Sequence, residues 1–235
     1  MAQKKNYHIR CPKCAHEHEV ELFDSIDISA EPALREALLL NQLNAVRCAG
    51  CAFTFQVHKP LIYRDTQRGY IIYWLPVPVG AEEAGERQFA EMLLLLAAQQ
   101  PDGVPLPPVH LVFTRTELIE RIFLLEAGLD ERLIEYVKQL MYLNNTSQLD
   151  PARKALLFNA HDSTPENLCF VVQDVATRKM EAMLHYSRAA YTALAEMFRA
   201  EEKMRMLREL FPGPHISARH LLLSQPDREE EKEAE

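Results

Sequence analysis

The chain of 235 residues is short of glycine, of long apolar runs and of positive charge, and each shortage argues against a class of function. Its seven glycines leave little material for a phosphate-binding loop, and no such glycine pattern occurs. Apolar runs such as 92–98 and 155–158 are far shorter than the roughly 20 residues that a membrane-spanning helix needs. We therefore expect neither a nucleotide-binding loop nor a membrane partner.

The formal net charge is −8, so the chain carries no overall basic character. Residues 227–235 hold a large share of the negative charge, whereas Lys and Arg nearly balance Asp and Glu over residues 1–81. Nucleic-acid binding draws most of its affinity from the neutralisation of phosphates by Lys and Arg. A nucleic-acid partner is therefore disfavoured.

The N-terminal residues carry charge but no apolar core and no cleavage site, so they do not resemble a signal peptide. We expect a cytoplasmic protein. In a reducing compartment, cysteines that come in close pairs serve as metal ligands or redox groups more often than as a disulfide framework.

Short strands surround the cysteines in the first part of the chain. The segments with strand character are 16–23, 53–58 and 69–76, and 53–58 shows the alternation of apolar and polar residues that is typical of a half-buried strand. Residues 32–40 predict a helix, because proline is tolerated in its first turn and apolar residues follow at helical spacing. Residues 1–80 are therefore predicted to form a β module with one inserted helix.

Helical patterns dominate the middle of the chain and return near its end. The predicted helices cover 81–100, 114–127, a segment that starts after residue 130, and 188–210. Thr114 and Glu117 form a capping box for the second of them, and Gly128 closes it. Asp130 is the predicted N-cap of the third.

Residues 155–187 change to a two-residue period and predict a three-stranded antiparallel meander. The last helix should end before Pro212, and we expect the chain beyond it, including an acidic tail at 223–235, to be disordered. The sequence thus predicts an α+β fold with a zinc-ribbon-like module at 1–80 and a helical and meander portion at 81–222.

Four of the five cysteines form two C-x-x-C pairs, Cys11 with Cys14 and Cys48 with Cys51. Two intervening residues let a tight turn, or knuckle, point both sulfur atoms at one ion, and two knuckles complete a tetrahedron with metal–sulfur distances of about 2.3 Å. Residues 9–15 match residues 46–52 in type at every position except the two between the cysteines, which is typical of a pseudo-symmetric pair. The spacer between the pairs is longer than the usual ~15–20 residues, and a strand plus the predicted helix accounts for the excess.

Four thiolates fill a tetrahedron and leave no open position, so we predict one structural metal ion. Zinc is the preferred ion, although thiolates also accept iron. Arg10, Lys13 and Arg47 are placed to offset the negative charge of the thiolates. His16 and His18 follow the first knuckle, but a ligand role for them is disfavoured because alternate strand positions share one face that we expect to be exposed.

The residues around the cysteines resemble the CpXC-domain family. The resemblance runs through Ile-Arg-Cys-Pro-Lys-Cys at 9–14, the segments 26–34 and 43–51, and Pro-Leu-Ile-Tyr-Arg-Asp at 60–65, and it continues more loosely to residue 135. It implies that Cys11, Cys14, Cys48 and Cys51 are metal ligands, and it implies no established activity. Three positions depart from the common pattern. Ala15 and Ala52 stand where such knuckles often have glycine, and Ala49 replaces the proline that Pro12 represents in the first pair.

Three functional hypotheses follow, and no set of residues identifies an enzyme. The first is a non-enzymatic, metal-stabilised binding or scaffold protein that contacts another protein. The second is a thiol-based redox sensor that releases its zinc on oxidation, since a C-x-x-C pair can act as a dithiol switch. The third and weakest is a nucleic-acid-binding zinc ribbon, which the charge disfavours.

Overall fold

A computed structural model describes residues 2–78, 80–101 and 103–224. In chain order the elements are β1 Gln3–Arg10, β2 Glu17–Asp27, α1 Ala33–Leu39, β3 Ala45–Arg47, β4 Thr54–Gln56, β5 Leu61–Asp65, β6 Tyr70–Trp74, α2 Glu82–Ala98, β7 Val109–Val112, α3 Arg115–Glu126, α4 Glu131–Asn144, β8 Lys154–Asn159, β9 Asn167–Asp174, β10 Met180–Ser187, α5 Arg188–Met197, α6 Glu201–Leu210 and α7 Ala218–Ser224. These elements confirm the predicted α+β class. Among the described residues, no helix combines the length and the apolar character that crossing a membrane requires.

The chain divides into two units, one that ends at Ile119 and one that begins at Glu120. The first unit contains a five-stranded sheet in the order β1-β2-β5-β6-β7 and a separate two-stranded sheet of β3 and β4. Within the larger sheet, β2 pairs with β5 and β6 pairs with β7 in parallel, and the other neighbours are antiparallel. The boundary that we predicted at residue 80 lies inside this unit, because β7 pairs with β6.

Helix α2 covers one face of the large sheet. Its Phe89, Met92 and Leu96 form a core with side chains of β6 and β7, among them Tyr73 and Leu111. These three helix residues recur at helical spacing, which is the pattern from which the helix was predicted.

Gly85 in α2 lies close to two side chains outside the helix, and it yields a testable prediction. A Cβ atom at Gly85 would lie 2.6 Å from the Phe113 ring and 3.1 Å from a methyl group of Val77. Overpacking costs about 1–3 kcal/mol, whereas alanine gains only about 1 kcal/mol over glycine in helix propensity. We expect Gly85→Ala to lower the free energy of unfolding, measured by chemical denaturation of the full chain.

Phe113→Leu provides the control for this prediction, because it removes the ring atoms that the new methyl group would strike. In that background Gly85→Ala should be neutral or stabilising. If Gly85→Ala lowers the free energy of unfolding equally in the wild-type and Phe113→Leu backgrounds, contact with the Phe113 ring is not the cause.

The second unit is built on a three-stranded antiparallel sheet in the order β10-β9-β8. One face of this sheet contributes Leu156, Phe158 and Phe170 to a core that α4 completes with Ile134 and Val137. The meander predicted over 155–187 is confirmed. The predicted N-cap is confirmed too, since the Asp130 side chain accepts a hydrogen bond from the Leu133 N–H at 2.9 Å.

The prediction of one helix over 188–210 is wrong, because α5 and α6 are separate helices. Ala200 between them has extended backbone, with φ −66° and ψ 130°. The break lets Phe198, Leu207 and Phe211 enter one buried cluster together with Leu133. Burial of these side chains outweighs the local preference for a continuous helix.

The prediction of disorder beyond Pro212 is wrong for residues 218–224, which form α7. The backbone N–H of Ala218 donates to the buried Glu135 carboxylate at 2.8 Å, and that of His220 donates to the Ser217 hydroxyl at 3.2 Å. Both contacts satisfy donors at the start of a helix. The predicted acidic tail overlaps α7 only at 223–224, and the rest of it lies outside the described residues.

Candidate metal centre

Two short hairpins carry the cysteines. Cys11 and Cys14 lie in the turn between β1 and β2, and Cys48 and Cys51 lie in the turn between β3 and β4. The strands flank each turn in the same register, since Arg10 pairs with Glu17 in the first hairpin and Arg47 pairs with Thr54 in the second. The first hairpin belongs to the five-stranded sheet, whereas the second is the small separate sheet.

The backbone of the two knuckles follows one hydrogen-bond pattern. The N–H of Cys11 donates to the His16 carbonyl and the N–H of Ala15 donates to the Cys11 carbonyl, each at 2.9 Å. Cys48, Phe53 and Ala52 repeat both bonds at the same distance. The similarity of residues 9–15 and 46–52 in the sequence therefore corresponds to a repeated local structure.

The four cysteine sulfur atoms form one small cluster, within 4.8 Å of one another. The Cys11 sulfur is 3.7 Å from that of Cys51, and the Cys14 sulfur is 3.6 Å from that of Cys48. Metal–sulfur bonds of about 2.3 Å in a tetrahedron place sulfur atoms about 3.8 Å apart. A disulfide requires about 2.05 Å, so the spacing suits a shared metal ion and not a covalent bond between the cysteines.

Side-chain contacts between the knuckles repeat the same symmetry. Lys13 and Gly50 hold equivalent positions, as do His16 and Phe53. The Lys13 ammonium lies 5.7 Å from the centre of the Phe53 ring, and a Cβ atom at Gly50 would lie 3.1 Å from the His16 ring. Each knuckle thus lies next to the second residue after the other knuckle.

The two cysteines of each knuckle differ in exposure. The first cysteines, Cys11 and Cys48, are each 2% exposed, whereas Cys14 is exposed and Cys51 is half-buried. Burial acts to raise the pKa of the Cys11 thiol, but hydrogen bonds from the backbone N–H groups of Cys14 and Lys13 outweigh it and lower the pKa to about 7. Backbone donors aimed at a sulfur atom are what a thiolate ligand requires.

Cys14 shows the opposite shift. The backbone N–H of His16 acts to lower its pKa, but hydrogen bonding with the Cys51 thiol, burial and contact with Cys48 raise the pKa to about 12. Crowded thiols cannot all ionise without a cation, because each thiolate disfavours the next. The donor set, the spacing and the backbone bonds therefore fit a divalent metal ion.

The family described as CpXC protein matches residues 9–138, which is more than half of the chain. The chain belongs to the CpXC protein family. The match includes both knuckles and continues through α3 into α4. No curated protein and no solved structure matches this CpXC protein.

His16 and His18 lie beside the centre but are not part of the cluster, which holds the four cysteines alone within the part of the chain that the structure describes. Their rings stack at a centroid distance of 5.5 Å. Phe53 and Phe55 stack in the same way at equivalent positions of the second hairpin, at 6.3 Å. The sulfur atoms are therefore the candidate ligands.

Ala15 and Ala52, the residues that depart from the common glycine, have left-handed backbone with φ 58° and 56°. This conformation costs a residue with a Cβ atom about 1–2 kcal/mol. Glycine avoids that cost, but the larger conformational entropy that glycine loses on folding cancels about 0.5–1 kcal/mol of the gain. We expect Ala15→Gly and Ala52→Gly each to raise the free energy of unfolding of the metal-loaded protein by about 0.5–1 kcal/mol. Chemical denaturation measures this change.

Ala49→Gly is the matched control, since Ala49 lies in the second knuckle and its φ is not positive. It should destabilise the protein slightly, because glycine only adds entropy to the unfolded chain there. Stabilisation by Ala49→Gly equal to that of Ala52→Gly would contradict the role of the left-handed backbone.

Proposed function

We propose that Cys11, Cys14, Cys48 and Cys51 hold one zinc ion with a structural role, and that this CpXC protein is a non-enzymatic binding or scaffold protein that contacts another protein. The observation that carries the proposal is the cluster of four sulfur atoms within 4.8 Å of one another, with two of the distances at 3.6 and 3.7 Å. Four thiolates complete a tetrahedron and leave no ligand position for substrate or water. Iron is the alternative ion for the same ligands.

The small second hairpin supports a structural role for the ion. Strands β3 and β4 have three residues each, and two-stranded sheets of that size are not stable alone. An ion shared with the first hairpin would fix this sheet to the large one. Thiolate ligands need a reducing compartment, so we assign the protein to the cytoplasm.

Metal analysis combined with thiol counting tests the proposal. The purified full chain should contain about one equivalent of zinc. All four clustered thiols should react slowly with a thiol reagent until a chelator removes the metal. A preparation that folds without metal, or one that takes up iron in preference to zinc when both are supplied, would contradict the assignment.

A redox sensor is the second candidate, and the exposure of Cys14 is the observation that favours it. Hydrogen peroxide would oxidise two of the thiolates to a disulfide and would itself be reduced to water. The loss of two ligands would then release the metal. Mild peroxide should then release zinc in proportion to the thiols lost. Retained metal and unreactive cysteines under the same treatment would exclude the sensor and leave the structural role.

A further inference from the structure

Strand β1 is an open edge of the five-stranded sheet. It stands at the end of the strand order and, among the described residues, pairs only with β2. The pairing is regular from Lys4 to Arg10, with one irregularity between Gln3 and Lys4. An edge strand presents a row of unpaired N–H and C=O groups that can bind another extended chain.

The charge of this edge is opposite to that of the whole chain. β1 contains Lys4, Lys5 and Arg10 and no acidic residue, in a protein with a net charge of −8. The acidic residues lie one strand further in, where Glu17, Glu19 and Glu21 of β2 stand opposite Arg10, His8 and Asn6. Lys4 contacts the Glu21 carboxylate at 2.9 Å and Lys5 contacts that of Asp24 at 3.1 Å, but the two lysine side chains stay 41% and 71% exposed. Exposed pairs of this kind contribute little to stability, so an added acidic strand can compete for these lysines.

The two faces of β1 differ in chemistry. Lys4, Asn6, His8 and Arg10 share one face and are exposed. The other face carries the half-buried Tyr7 and Ile9 and, nearer the start of the strand, the exposed Lys5. Across the ladder, Tyr7 stands opposite Val20, and Ile9 stands opposite His18. A strand that fits this edge has acidic residues on the first face and apolar residues on the second.

We propose that β1 binds an extended segment of another protein in which acidic and apolar residues alternate, and that this segment adds a sixth strand to the sheet. The inference rests on the proposed function, because it names the surface of a protein-binding module. Lysines on an edge also discourage two copies of the same edge from pairing. That like-charge repulsion leaves an acidic strand as the complementary partner.

The metal centre fixes one end of this surface. β1 runs directly into Cys11, so the knuckle holds its C-terminal end. Removal of the metal should loosen the edge and weaken binding of the segment. The affinity for the segment therefore depends on the metal, although the segment does not contact the metal ligands.

A short synthetic peptide that alternates glutamate and valine is the probe, with the metal-loaded full chain as the receptor in a calorimetric or fluorescence titration. Two N-methylated versions, one methylated at the odd and one at the even residues, separate strand addition from simple charge attraction. A strand at an edge uses the N–H of every second residue. One version should lose binding at least about tenfold, and the other should keep most of it.

Equal loss from both methylated versions, or equal affinity for a single-stranded oligonucleotide, would overturn the inference in favour of non-specific binding of polyanions. A peptide that alternates lysine and valine should not bind. No binding of the glutamate peptide at low salt would also overturn it.

His8→Glu tests the position of the surface, because this exposed side chain lies on the basic face and takes no part in the metal cluster. His185→Glu is the matched control, because His185 is an exposed residue of β10, an edge strand of the three-stranded sheet. We expect peptide affinity to fall at least about tenfold for the first variant and to stay unchanged for the second. Metal content should be normal in both, and equal affinities would place the surface elsewhere.

The same two variants distinguish failure of the inference from failure of the proposed function. A protein partner that wild type and His8→Glu retain equally would refute docking at β1 while leaving a protein-binding role intact. Lack of any specific protein partner for the metal-loaded wild type would refute the proposed function itself.

Discussion

Replacing Cys48 with serine is expected to abolish stoichiometric metal binding and to unfold the small sheet of β3 and β4. Cys48 is 2% exposed and its sulfur lies 3.6 Å from that of Cys14, so its loss removes a buried ligand from the cluster. Structural zinc supplies about 10–16 kcal/mol of apparent binding free energy in small zinc domains. Even a fraction of that value exceeds what β3 and β4 could retain by themselves.

Cys169→Ser is the matched control for Cys48→Ser. Cys169 is buried on β9 in the second unit and lies outside the sulfur cluster. It should keep the full equivalent of metal, with at most a modest loss of stability. Metal analysis and hydrogen exchange across residues 2–78 measure both variants, and a well-folded, metal-free Cys48→Ser protein would contradict the structural role.

The cluster of four cysteines could be predicted because it depends on short segments of sequence. A C-x-x-C pair and its flanking residues determine one knuckle, and the chain contains two such segments of the same type at 9–15 and 46–52. The intervening strand and α1 were also predictable from periodicity and from Pro32. The cross-contacts of Lys13 and His16 were not, because they depend on how two separate hairpins face each other.

The ends of the chain show where sequence reasoning fails. No proline or glycine separates α5 from α6, so nothing local predicts the break at Ala200. Helix α7 starts with a hydrogen bond to Glu135, a partner far away in the sequence. In both cases the deciding contact is tertiary, and a pattern within a short window does not contain it.

A buried group of charges in the second unit was missed for the same reason. Lys138 on α4 lies 2.6 Å from the Glu120 carboxylate and 2.7 Å from that of Glu135. Glu120 also accepts from the Phe158 N–H at 2.5 Å, and Glu135 accepts from the Ala218 N–H at 2.8 Å. In the sequence these residues resemble the exposed charges of any helix, yet they join α3, α4, β8 and α7.

Lys138→Met is expected to have the second largest effect, a loss of about 3–5 kcal/mol in the free energy of unfolding, because it leaves two buried carboxylates without their cation. Burial alone would lower the pKa of Lys138, but Glu120 and Glu135 outweigh it and raise the pKa above the ordinary lysine value. Burial likewise raises the pKa of Glu120. The lysine is thus the charge on which the group depends.

Lys154→Met is the matched control, since Lys154 also has two acidic partners, Asp174 at 3.0 Å and Glu181 at 2.6 Å, but its side chain is 20% exposed. Water screens such a pair, and its loss should cost no more than about 1 kcal/mol. Adding Glu135→Gln to Lys138→Met should recover part of the loss, because it removes one of the unpaired charges. Urea denaturation of Lys138→Met, Lys154→Met and the double variant measures the free energies of unfolding. If Lys138→Met costs no more than Lys154→Met, the buried charges contribute little to holding α3, α4, β8 and α7 together.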